Sequence, residues 1–151
     1  MLRCGTWGGQ TRSAYAAPVS PLPPAINRPE VVAEVRATFD RYEAALVAND
    51  LGVLDELFWA SPHTERVGLA DRQHGFDEVR AHRRGLARQT PPRALRDLVV
   101  TTFDDHTAVV TTEFVPDDGA SPVGRQSQTW LRFPDGWRVV AAHVSWPAPT
   151  A

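Results

Sequence analysis

The chain has 151 residues, enough for one domain and little more. A net charge of −2 gives no electrostatic footprint for nucleic acid or an anionic membrane, and no apolar run approaches the roughly 20 residues that span a bilayer. All 16 basic residues are arginines, which excludes lysine Schiff-base chemistry and makes any inward-facing arginine a candidate carboxylate clamp. The lone Cys4 excludes an intrachain disulfide and thiolate metal sites, so a cytoplasmic location is expected.

Residues 1–26 are rich in Gly, Ala, Ser and Pro and lack the apolar core of a signal peptide. Such a composition buries too little surface to offset chain entropy, and a disordered extension outside the fold is expected. The folded domain is expected over 27–148. Asn27-Arg28-Pro29-Glu30 has the form of a capping box, with Asn27 as N-cap. Val32, Val35, Phe39, Tyr42 and Leu46 recur at helical period, with Glu34, Arg41 and Glu43 on the polar face, predicting a helix to about Asn49. Asp50 reads as a second N-cap before a short helix through Phe58, which Ser61-Pro62 stops. Short strands are expected at 64–68 and 71–74. A basic helix follows from Phe76 to Leu86, its Arg80, Arg83 and Arg84 forming a solvated face.

Beyond Pro91-Pro92 the period changes to that of strands, at 95–103, 107–115, 124–133 and 137–146. Asp104-Asp105, Asp117-Asp118-Gly119 and Pro134-Asp135-Gly136 supply the turns. Helices followed by a meander give an α+β pattern. Pairing Phe133 with Trp137 places Leu131 opposite Val139, Thr129 opposite Ala141, Ser127 opposite His143 and Arg125 opposite Ser145. Both faces of that hairpin carry apolar residues, so one face is expected to cover the helices. The other, with Trp130, Val144 and Trp146, is expected to meet a second subunit.

Several stretches resemble one known family: Asn27-Arg-Pro-Glu-Val-Val, Tyr42-Glu-Ala-Ala-Leu, Asp55-Glu-Leu-Phe-Trp59, Ser61-Pro-His-Thr64 with Arg66, Arg125-Gln-Ser-Gln-Thr-Trp130 and Gly136-Trp-Arg-Val-Val-Ala-Ala-His-Val-Ser145. Together they resemble the AtzH-like branch of the nuclear transport factor 2-like (SnoaL-like) superfamily. The branch includes the oxalurate-catabolism protein HpxZ and the decarboxylating amidohydrolase that converts 1,3-dicarboxyurea to allophanate. The resemblance implies a cystatin-like cone, with N-terminal helices packed on a curved antiparallel sheet around one pocket, and a homodimer. It implies catalytic roles for Tyr42 and Arg66, although Val67 stands where an aromatic residue is expected.

Tyr42 lies on the apolar stripe, so the alternative to a catalytic role is simple core packing. Arg125, Ser127 and His143 are expected to bind substrate on a shared pocket face, the alternative for Arg125 being a salt bridge to Glu113. A Ser–His–Asp triad lacks any nucleophile-elbow sequence, and the scattered histidines lack metal-ligand spacing, so no metal or cofactor is expected. Two functions follow. One is a cofactor-independent hydrolase for a small carboxylated ureido substrate. The other is a non-catalytic dimeric accessory protein, binding a small anion or bracing an amidase.

Overall fold

The computed structural model describes residues 24–86 and 90–147; of the extension expected over 1–26, residues 1–23 lie outside them. The elements are α1 (Pro29–Ala48), α2 (Leu51–Leu57), β1 (Glu65–Val67), β2 (Arg72–His74), α3 (Phe76–Gly85), β3 (Arg93–Phe103), β4 (Thr107–Pro116), β5 (Gly124–Phe133) and β6 (Gly136–Ser145). One curved six-stranded sheet runs in the order β2-β1-β6-β5-β4-β3. It is mixed rather than wholly antiparallel, because β1 joins β6 in parallel. No helix among the described residues is long and apolar enough to cross a membrane.

α1 buries Val31, Val35, Phe39, Tyr42 and Ala45 against the sheet, so its stripe starts at Val31 rather than Val32. Full burial of a side chain such as Phe39 contributes about 1.5–3 kcal/mol. The helix ends at Asn49, which adopts the left-handed conformation and bonds back to Leu46. Asp50 caps α2 by accepting the Val53 N–H at 3.1 Å.

The expected capping box at Asn27 does not form. Asn27 has a positive φ, Arg28 takes the N-cap position, and the Asn27 side chain accepts the Thr102 N–H at 2.9 Å. Its oxygen thus satisfies a strand rather than a helix end. Residues just before Asn27 also make strand contacts: Ile26 bridges Phe103, and Ala25 exchanges hydrogen bonds with Asp104.

At its open end the β5–β6 hairpin has the expected pairs, Arg125 with Ser145, Ser127 with His143 and Thr129 with Ala141. Nearer the turn the pairing shifts by one, so that Phe133 meets Gly136 and Trp130 meets Val139. The shift at Thr129/Trp130 leaves Val140 as the extra residue of a bulge. The bulge reverses the facing of β6, and this explains why both faces looked apolar. Trp137 and Val139 join the interior, and Trp130 is fully buried with its ring edge-on to Tyr42. Trp130 therefore cannot serve an outer subunit contact. Val144 and Trp146 also turn inward, to line a cavity.

Candidate functional site

Between the helices and the inner face of β4–β6 lies a cavity of about 410 Å³. Its wall includes Tyr42 from α1, Arg66 from β1, His82 and Arg83 from α3, Arg93 from β3, and Gln126, Gln128 and Ala142 from the central strands. Tyr42 is directed here by the helical stripe, between Phe39 and Phe58. Its hydroxyl is hydrogen-bonded to no described side chain, and burial, reinforced by the Glu43 charge, raises its pKa above the usual phenol value. Guanidiniums at Arg93, Arg83 and Arg66 pull the other way but do not prevail. The Tyr42 hydroxyl is thus held in its neutral, hydrogen-bond-donating form.

Arg66 is brought in by pairing: it sits opposite Ala142 on β6 and opposite Gln73 on β2. Its Nη1 donates to Asp71 at 2.9 Å and to Gln73 at 2.8 Å. That bridge passes over Gly68, where an added Cβ would stand 2.2 Å from the Asp71 carboxylate. The Ser61-Pro-His-Thr64 stretch is structural: buried Thr64 donates to the Trp59 carbonyl at 2.6 Å, and Ser61 accepts the His63 N–H. It fixes the chain just ahead of β1. His82 lies beside Asp71, and burial, followed by the Arg66 charge, lowers its pKa.

Arg93 is committed to structure. It makes two-pronged contact with Glu43 at 2.7–3.0 Å, donates to Gln126 at 3.0 Å, and lies over the Phe114 ring. Phe114 fits because Gly124 faces it; a Cβ there would come within 2.2 Å of the ring. Glu43 is therefore buried, contrary to its expected place on the polar face of α1. Gln128 is buried with both amide atoms unpartnered. Arg83, expected on a solvated face, is instead stacked on Phe58 at 3.9 Å.

Tyr42 and Arg66 come together; Arg125, Ser127 and His143 do not join them. Those three share the outer face of the sheet, in an open depression that also includes Thr111 and Glu113. Alternation along β5 places Gln126 and Gln128 inward and Arg125 and Ser127 outward. Arg125 forms the salt bridge to Glu113, at 3.1 Å. Among the described residues no group of three or more His, Cys, Asp or Glu side chains is placed to hold a metal ion.

A family model described as AtzH-like matches residues 24–149. A solved structure of a protein of unknown function from Pectobacterium atrosepticum is 46% identical, with 82% of this chain and 95% of that one covered and a TM-score of 0.78. A cystatin-like fold protein from Burkholderia xenovorans is also 46% identical, over 84% of this chain and 99% of that one, with a TM-score of 0.79. A nuclear transport factor 2-like superfamily protein from Salmonella enterica is 25% identical over 81% and 94% of the two chains, with a TM-score of 0.64. No curated protein matches.

Proposed function

Because the chain belongs to the AtzH-like family, we propose that it is a cofactor-independent hydrolase that cleaves a C–N bond in a small carboxylated ureido substrate, such as 1,3-dicarboxyurea or a related ureido acid. The observation that carries this reading is that Tyr42 and Arg66, 24 positions apart and on different elements, line one cavity. Arg66 would hold a substrate carboxylate through charge-assisted bonds. Burial keeps Tyr42 protonated but also makes it a weaker acid than a free phenol, so it would donate only to a strongly basic leaving nitrogen. In the carbamate of such a substrate, a carboxylate lone pair closes to C=O as the C–N bond breaks. The bonding pair passes to nitrogen, which takes the Tyr42 proton. Carbon dioxide leaves and is hydrated by water, and solvent reprotonates the phenolate. The outer-face residues Arg125, Ser127 and His143 have no part in this step.

The test is turnover of freshly generated 1,3-dicarboxyurea by the purified protein alone. Wild type should release carbon dioxide above the spontaneous rate. Arg66→Lys should lose about tenfold or more in kcat/KM, since an ammonium does not reproduce the planar fork. A second reading, a dimeric accessory or anion-binding protein beside an amidase, is favoured by one feature. No described carboxylate or serine is bonded to the Tyr42 hydroxyl. Anion binding without turnover would select it, and its dimer would have to use a surface other than Trp130, Val144 and Trp146.

A further inference from the structure

We propose that Arg83 is a second carboxylate-binding residue of the cavity, acting with Arg66 on one ligand so that the site selects small molecules with two carboxylates over those with one. This rests on the cavity being the ligand site.

The three cavity arginines differ in how far their charge is satisfied. Arg93 is matched by the Glu43 carboxylate and Gln126. Arg66 has Asp71 and Gln73. Arg83 has one hydrogen bond among the described residues, from Nη1 to the Leu54 carbonyl at 3.2 Å. A guanidinium offers five N–H donors, so most of this one's capacity is unused. The nearest carboxylate, Asp55, is 3.8 Å away and is held more closely by Arg84 at 2.8 Å and Arg80 at 3.6 Å. Yet the Arg83 side chain is only 9% exposed.

Burying a cation with so few partners is unfavourable unless something else meets it. Its placement is also fixed in advance. Phe58 lies flat beneath the guanidinium and the Leu54 carbonyl holds one edge, leaving the rest of the fork to the cavity wall. Preorganisation of this kind reduces what is lost on binding. Burial disfavours the Arg83 charge; Asp55 offsets this in part, and repulsion from Arg66 adds a smaller penalty. An anion between the two arginines would relieve both unfavourable effects. A planar carboxylate accepts two parallel N–H bonds from a fork, and two such groups fit within about 410 Å³.

The test is calorimetric titration of the full chain with a charge series on one five-carbon frame: glutarate, glutaramate and glutaramide. Wild type should bind glutarate roughly ten- to a hundredfold more tightly than glutaramate, the range of a charged hydrogen-bonded pair. Arg83→Met keeps the apolar stem over Phe58 and should bring that ratio to within about twofold, without loss of melting temperature. If Arg83→Met does not fold, Arg83→Lys keeps the charge and should also lower the ratio, because the fork is gone. An unchanged ratio in the variant, no glutarate preference in wild type, or inorganic phosphate binding as tightly as glutarate would each overturn the proposal. A ratio that depends on Arg83 without any turnover keeps it and removes only the hydrolase reading.

Discussion

Inward from β5, Gln126 bonds to Glu43 at 3.2 Å and Gln128 is sealed in the core; outward from the same strand, Arg125 and Ser127 stand exposed beside His143. Each face has an arginine–glutamate pair. The inner one, Arg93–Glu43, has side-chain exposures of 5% and 11%; the outer one, Arg125–Glu113, has 65% and 34%. The same chemistry has different consequences on the two sides. Water screens the outer pair, whose contribution is about 0–1 kcal/mol. The inner pair, with Tyr42 and two further arginines nearby, sits where a hydrogen bond or charge is unscreened and an unpaired one is costly. Polar residues that can act strongly on a ligand are those the α helices cover.

The sharpest way to break this comparison is to mutate both faces and follow turnover. Tyr42→Phe should lose about two to four decades in kcat with the fold intact, as expected when a general acid is removed. Ser127→Ala and His143→Ala should stay within about twofold of wild type, since a solvated residue on the far face touches no substrate. Equal losses on both faces would end the distinction. Next in size is stability. Glu43→Gln leaves Arg93 buried without its carboxylate and should cost about 3 kcal/mol in denaturant unfolding, whereas Glu113→Gln should cost under about 1 kcal/mol.

The smallest effect concerns pH. The folded-state pKa of His82 lies below its ordinary value, so between the two the unfolded chain binds more protons. Stability on this account is full above about 6.5 and declines as pH falls below it. His82→Asn should flatten that part of the melting-temperature profile.

Much of this architecture can be read in the chain. The meander follows from turn chemistry at Asp104-Asp105 and Pro134-Asp135-Gly136, and Tyr42 sits inward because its spacing from Phe39 is helical. The strand pairs at Arg125, Ser127 and Thr129 also follow from the hairpin. Which face of that hairpin is inner does not. It depends on the bulge at Val140, for which the local sequence carries no mark, and on where α1 lies. Glu43 and Arg83 look like surface charges by periodicity, because their partners Arg93 and Phe58 are 50 and 25 positions away. Asn27 illustrates the same limit: a good N-cap residue was drawn off by a backbone N–H on β3. One inward signal was available, since Gln126 and Gln128 alternate with Trp130 on a single face.

The most direct test of the account is an NMR titration with glutarate that follows the arginine Nε–H resonances. All basic side chains are arginines, so both faces report in the same spectrum. The account predicts that Arg66 and Arg83 shift and saturate together, while Arg125 and the backbone amides of Ser127 and His143 stay in place. Saturable shifts confined to Arg125, Ser127 and His143, with Arg66 and Arg83 unmoved, would contradict it.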